Sequence, residues 1–263
     1  MGLVQNRLRA RLRDRQLSLG MGLYHLRSVA GPGIARASGH DWVFIDAEHG
    51  PFSLSETTEL CVAALTAEVT PIVRASQRSL DAAARALDNG AQGALIAMVE
   101  GADDAHQIVN TLRYPPLGRR GWGGSGVRFG FRPPAPLKAM EELNADTLII
   151  ALIESEAGVA NCAEIAAVPG IDALFVGFAD LAASLGISSG FDDPRLEEAF
   201  AAVARACSDA DVSLGMGGVY DESIMPRLIA MGARLVATGN DQSFLLSAAT
   251  ARVDSLRRVG GGE

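Results

Sequence analysis

The apolar run Trp42-Val43-Phe44-Ile45 reads as a strand buried on both faces, yet it ends in Asp46 and delivers Glu48 and His49 within three further residues. Such an ending is either a polar strand-to-helix turn or part of a rim where chemistry is done. Other apolar runs end in the same way. Pro71-Ile72-Val73 stops at Arg74, the run from Leu148 to Ile153 stops at Glu154, and Leu174-Phe175-Val176-Gly177 is followed three residues later by Asp180. Two carboxylates at the ends of neighbouring parallel strands, about 5 Å apart, repel unless a cation joins them. A hard divalent ion such as Mg²⁺ or Mn²⁺ accepts two such oxygens and leaves positions open for water or substrate. Taken singly, Glu154 or Asp180 could instead cap a following helix. Arg74 cannot shed its charge, so at a buried strand end it needs an anion: a substrate oxygen, or a structural pairing with Asp46 or Glu48. Of the histidines, His49 alone has carboxylates one and three residues before it, able to fix its tautomer and raise its basicity for proton transfer. His25 could also approach a rim after the first run, whereas His40 precedes a run and His106 lies in a helical pattern. Glu156 competes with Glu154 for a ligand role but lies past the apolar stretch.

These groups are far apart in sequence, so the elements that carry them must converge at one end. Apolar bursts occur at Leu17 to Leu23, Trp42 to Asp46, Pro71 to Arg74, Ala94 to Val99, Leu148 to Glu154, Ala173 to Gly177, Val212 to Met216 and Leu235 to Thr238. Helical patterns lie between them, with starts expected at Ser53, Ser79, Asp103 and Asp221. Continuous apolar strands alternating with amphipathic helices imply a parallel sheet covered by helices. Eight such units within 263 residues predict one α/β domain over 1–263, a closed (β/α)8 TIM barrel, with active residues at the C-terminal ends of its strands. An open dinucleotide-binding sheet would place a third glycine where His25 follows Gly20 and Gly22. The match at Gly121, Gly123 and Gly126 follows Tyr114-Pro115-Pro116 rather than a strand, so it is a loop. The irregular segment from Pro115 to Pro136, between the fourth and fifth bursts, is expected to cover the active face. Gly215-Met216-Gly217-Gly218, after the seventh, is either a phosphate-binding turn or a tight turn.

Composition narrows the chemistry. The chain has one lysine, Lys138, in an apparent helix rather than at a strand end. A Schiff-base lysine, pyridoxal phosphate chemistry and a Walker-type nucleotide loop all lack their amine. A net charge of -8 argues against a nucleic-acid partner. No apolar run reaches the roughly 20 residues of a membrane span. Cys61, Cys162 and Cys207, widely spaced and without a Cys-x-x-Cys pair, read as reduced core residues of a cytoplasmic protein. Five arginines between Arg7 and Arg15, with Val4, Leu8 and Leu12 at helical spacing, predict a solvated amphipathic N-terminal helix; a subunit contact or an anionic surface is the alternative.

Several motifs, in order, resemble the HpcH/HpaI family of metal-dependent pyruvate aldolases, which includes 4-hydroxy-2-oxoheptanedioate aldolase. They are Asp41-Trp42-Val43-Phe44-Ile45-Asp46-Ala47-Glu48-His49, Pro71-Ile72-Val73-Arg74, Tyr114-Pro115-Pro116-Leu117-Gly118-Arg119-Arg120-Gly121, Ile153-Glu154 and Val176-Gly177-Phe178-Ala179-Asp180-Leu181. The resemblance implies Glu154 and Asp180 as ligands of a divalent cation (Mg²⁺, Mn²⁺ or Co²⁺). It implies His49 as acid/base partner held by Asp46, with Glu48 behind it, and Arg74 on the keto oxygen. Backbone amides near Gly177, Ala179 and Asp180 would hold the substrate carboxylate. It further implies a hexamer, a trimer of dimers that exchange their last helix. Leu152 stands where the family often has glutamine and Phe178 where it often has proline.

The expected reaction is reversible cleavage of a 4-hydroxy-2-oxo acid to pyruvate, or a close analogue such as hydroxypyruvate, and an aldehyde, by way of an enolate. The alternatives are a related barrel lyase of the citryl or phosphoenolpyruvate-mutase kind and a non-catalytic carboxylate-binding barrel.

Overall fold

In the computed structural model, which describes residues 2–124, 126–188 and 190–259, each apolar burst is a strand. Of the expected 1–263 domain, Met1, Ser125, Ser189 and 260–263 lie outside the described residues. The strands are β1 (Ser18–Leu23), β2 (Trp42–Asp46), β3 (Thr70–Ala75), β4 (Gly93–Ile96), β5 (Leu148–Ile153), β6 (Ala173–Gly177), β7 (Ser213–Gly217) and β8 (Leu235–Asn240). They pair in parallel in chain order, and β8 pairs with β1 to close the barrel.

Side chains alternate between the two faces of each strand. Those facing outward, among them Val43, Ile45, Val73, Ile149 and Ile153, pack with helix residues such as Leu60, Ala83, Ile108 and Val203. Those facing inward form a second cluster of Trp42, Phe44, Ile72, Ile150, Leu152 and Phe175. Glycines make room for these rings. A Cβ on Gly20 would lie 2.1 Å from the Trp42 ring, and one on Gly215 would lie 2.4 Å from Phe175. Gly20 and Gly215 are therefore packing glycines of the lumen, which accounts for the first without a dinucleotide and for the second without a phosphate.

The lower end of the lumen is plugged by α1 (Arg7–Arg13), whose Leu8 and Leu12 are buried in the inner cluster. The helix is amphipathic as expected, but several of its arginines are tied to the barrel rather than merely solvated. Arg9 bonds Asp172 and the Thr147 carbonyl, and Arg7 bonds Glu68. Asn6 caps the helix, and its side chain also donates to the Gln92 and Asp146 carbonyls.

The 115–136 segment lies elsewhere than expected. It follows α5 (Ala102–Leu112) and precedes α6 (Pro136–Asp146), so it belongs to a helix-to-strand connection, and these sit at the N-terminal end of a barrel. Arg128 within it bonds Val4, Asp146 and Thr147, and Arg120 pairs with Asp88 while stacking on Tyr114. The active face of its own barrel is left uncovered by it.

Ser53 begins α3 (Leu54–Thr66) with a capping box through Glu56, as its spacing predicts. Asp221 instead heads a turn, and the helix there starts at Met225. After β8 the chain enters α12 (Asp241–Val259), which buries none of its residues.

Candidate active site

The inward alternation that runs Trp42, Phe44 along β2 and Ile150, Leu152 along β5 continues for one more step, to Asp46 and Glu154. The same step on β3 runs from Ile72 to Arg74. The upper end of the lumen is therefore polar because the register of the core carries straight into it. Asp46 and Arg74 are register partners across β2 and β3. Their side chains form a two-pronged pair, Nε to Oδ1 at 2.9 Å and Nη2 to Oδ2 at 2.7 Å. Asp46 is fully buried, and Oδ1 also accepts the backbone N–H groups of Glu48 and His49 at 3.2 Å each. Burial opposes the Arg74 charge, but the Asp46 carboxylate more than offsets this and raises its pKa. Of the guanidinium nitrogens, Nη1 has no hydrogen-bond partner among the described residues.

The hold of Asp46 on His49 takes a different form from the one expected. Asp46 fixes the backbone of His49 rather than its ring, because Arg74 occupies the outer edges of the carboxylate. The ring stands 65% exposed at the rim with Nε2 3.8 Å from Glu48 Oε2, so Glu48 is its acidic neighbour. Burial raises the Glu48 pKa, Arg74 and His49 lower it, and Asp46 and Asp180 raise it again.

Glu154 is buried, 5% exposed. Burial pushes its pKa up to about 7; the Met98 amide opposes this, while Asp180 and Glu48 add to it. Its Oε1 accepts the Met98 N–H at 2.9 Å. Met98 presents that amide from a left-handed conformation, φ 55°, an arrangement costing on the order of 1 kcal/mol for a residue with a side chain. Gln77 holds the other side of the same residue by donating to the Met98 carbonyl. On the other side, Ile153 pairs with Val176, which sets Glu154 beside Gly177, where a Cβ would fall 2.8 Å from Oε2. Glycine at 177 therefore keeps the space at Oε2 open.

Asp180 lies in the first turn of α9 (Phe178–Ser184), exposed at the same rim. The donor chemistry suits a hard divalent cation: two carboxylates whose charges disfavour one another, one of them buried and raised toward neutrality. Among the described residues no set of three or more His, Cys, Asp or Glu side chains is arranged for a metal, so remaining positions would fall to water and substrate. Gly218, at φ 85°, faces the start of the same helix, and a Cβ there would sit 3.1 Å from the Ala179 nitrogen. A side chain at 218 would crowd the Phe178 and Ala179 amides.

The other sequence candidates take no part in these side-chain contacts. Glu156 is exposed on a separate helix start capped by Ser155. The His40 ring bonds Ser38 and Thr238, and His106 is exposed on α5. His25 is exposed in the loop after β1. Leu152 lies inside the lumen one inward step below Glu154, and the Phe178 ring turns into the core against Phe200, 5.7 Å between centroids. Two tyrosines escape the sequence reading. Tyr24 accepts a hydrogen bond from Arg74 Nη2 at 3.2 Å, and burial raises its pKa to about 12. Tyr220 lies near enough to raise it further. For Tyr24 the available signal was its place one residue past the β1 burst.

Against this geometry, residues 29–248 match the family model described as HpcH/HpaI aldolase/citrate lyase. The chain belongs to that family. As an HpcH/HpaI member it is a carbon–carbon lyase by class. It is 34% identical to 2-keto-3-deoxy-L-rhamnonate aldolase of Escherichia coli O17:K52:H18 over 239 residues, 91% of this chain and 88% of that one. Among solved structures, the HpcH/HpaI aldolase of Desulfitobacterium hafniense DCB-2 superposes with a TM-score of 0.88 at 28% identity, covering 95% and 96% of the two chains. The citrate synthase SbnG superposes with a TM-score of 0.87 at 25% identity, covering 98% and 99%. No helix among the described residues of this HpcH/HpaI chain is long and apolar enough to cross a membrane.

Proposed function

We propose that the chain is a divalent-cation-dependent aldolase that cleaves or forms a 4-hydroxy-2-oxo acid from pyruvate, or a close analogue, and an aldehyde. The observation that carries this reading is a buried Glu154 whose pKa the nearby Asp180 helps to raise, beside an Arg74 whose Nη1 is uncommitted. The relatives named for 2-keto-3-deoxy-L-rhamnonate support the substrate class, since that compound is itself a 4-hydroxy-2-oxo acid.

Glu154 and Asp180 would hold the cation, with Mg²⁺, Mn²⁺ and Co²⁺ as the candidates, and when bound it supplies Lewis-acid charge to the keto oxygen. Arg74 Nη1 donates to that same oxygen as negative charge develops there, and the pairing with Asp46 keeps the guanidinium aimed. The amides of Ala179 and Asp180, the first of them left uncrowded by the absence of a side chain at Gly218, receive the substrate carboxylate. His49, steadied through its backbone by Asp46 and adjacent to Glu48, takes the proton of the C4 hydroxyl during cleavage and returns it in the reverse direction. Lys138 is exposed on α6, where it lies beside Glu142, rather than at the end of a strand, which fits an enolising mechanism without a Schiff base.

The protein is taken to work in the cytoplasm, consistent with its three free, buried cysteines. A homo-oligomer, a hexamer built as a trimer of dimers exchanging α12, is supported by exposed Leu245, Leu246 and Leu256 on that helix. Incubation with pyruvate in D₂O, followed by NMR, tests the reaction. Methyl-proton loss that needs the cation and stops with chelator is the expected result; no exchange with cation present would overturn it. The likeness to a citrate synthase supports a second reading, in which the enolate meets a carboxylated partner instead of an aldehyde. That enzyme would exchange pyruvate protons without accepting any aldehyde.

A further inference from the structure

The loop after β1 is held from an unexpected direction. Asp241, the first residue of α12, accepts three consecutive backbone N–H groups: Tyr24 at 3.1 Å, His25 at 2.9 Å and Leu26 at 2.5 Å. Three successive amides converging on one carboxylate form a strong, charge-assisted anchor. The loop so fixed places the Tyr24 ring over Gly22, where a Cβ would lie 2.8 Å from Tyr24 Cε2, and edge-on to Phe44 at 5.7 Å between centroids. From there the Tyr24 hydroxyl accepts from Arg74 Nη2 at 3.2 Å, and the Arg74 guanidinium lies 5.5 Å from the centre of the Tyr24 ring. An unbroken series of contacts thus runs from the base of the last helix to the arginine at the rim.

We infer that Asp241 is a positioning residue for the active site, acting through Tyr24 to aim Arg74, so that the seating of α12 and the readiness of the site are linked. Asp46 fixes one edge of the guanidinium, and Tyr24 prevents the plane from swinging about that edge. With Nε and Nη2 both committed, Nη1 has a single direction left. The inference rests on the proposed contact between Arg74 and the substrate keto oxygen.

A double-mutant cycle of Asp241→Asn and Tyr24→Phe tests it, read in two ways. In the first, pyruvate methyl exchange at saturating substrate falls roughly tenfold in each single variant, the size of one hydrogen bond to a charged group, with a smaller change in KM. The double variant loses no more than Tyr24→Phe alone. In the second, the Arg74 Nε–H resonance, assigned with Arg74→Lys, shifts on Asp241→Asn when Tyr24 is present and stays put when the same substitution is made on top of Tyr24→Phe. Asp241→Ser, which leaves the Asn240 cap of the helix in place but withdraws the carboxylate from the loop, repeats both measurements should Asp241→Asn not fold. Multiplicative rate losses, or an Arg74 resonance indifferent to Asp241, would overturn the inference. Absence of exchange in the unmodified protein would overturn the aldolase reading alone, because the resonance still decides the link.

Discussion

A carboxylic acid brought to a pKa of about 7 by burial, with Asp180 and Glu48 adding to the push, ionises in the folded protein far later than in the unfolded chain, where 4.5 is the ordinary value. Between those two values the folded state binds the extra proton. For metal-free protein the contribution of Glu154 to stability is therefore fully present below about pH 4.5 and is lost as pH rises through about 7. The expected outcome is a metal-free thermal midpoint that declines across that window and then levels, with the decline absent in Glu154→Gln; calorimetry at stepped pH checks it. Added cation should oppose the loss, since it binds the ionised form. His49 offers a second measurement at this scale. Exposed at the rim and outside the core, it can be replaced with little effect on folding, so His49→Ala should lower the rate of aldol cleavage roughly 10²- to 10⁴-fold at an unchanged thermal midpoint. Equal turnover in the variant would remove His49 from the mechanism. Asp46, Arg74, Glu154 and Asp180 were legible in the sequence because each sits at or just past the end of an apolar run. Tyr24, Gln77 and Asp241 were not. Gln77 matters only through the left-handed peptide at Met98, and Asp241 only through a loop more than 200 positions away, and neither relation leaves a local pattern.

At the level of elements, the strands were readable because hydrophobic alternation and length are properties of short windows, and Ala173–Gly177 was bounded correctly at both ends. The 115–136 segment was misplaced for a topological reason. It lies between β4 and β5, but α5 intervenes first, which carries the chain down to the N-terminal end before the segment begins. The role of α1 was half readable. Its apolar spacing was visible, but its docking into the lumen depends on β-strand residues as distant as Leu148 and Leu235. Because Leu8 is fully buried in that plug, Leu8→Ala should destabilise the protein by about 2–5 kcal/mol, the range for an aliphatic side chain deleted from a packed site. Thermal unfolding should show it as a drop of several degrees. Exchange activity at low temperature should survive, since the plug and the rim are at opposite ends. A fall in activity without a fall in midpoint would contradict this division.

At the scale of the whole molecule, the last helix is a conspicuously incomplete surface among the described residues. α12 leaves Leu245 at 73%, Leu246 at 63% and Leu256 at 63% exposed. A helix in that condition needs an apolar partner. Leu245→Glu should shift the assembly toward smaller species, as light scattering would show, with the barrel still folded. Unchanged mass would mean that the helix is covered some other way. Because Asp241 begins this same helix, loosening it is also expected to weaken the rim.

Trp42 has a consequence for following how the protein forms. Its indole is 1% exposed within the lumen, lies where a Cβ on Gly20 would stand, and meets Phe175 edge-on at 6.4 Å. Those contacts come from the first, second and sixth strands, so they exist only once distant parts of the chain have curled into a ring. The other tryptophan, Trp122, lies against Tyr114 in the 115–136 segment. With Trp122→Phe, the blue-shifted emission of the remaining indole becomes an optical clock for closure of the cylinder, blind to events at its margins.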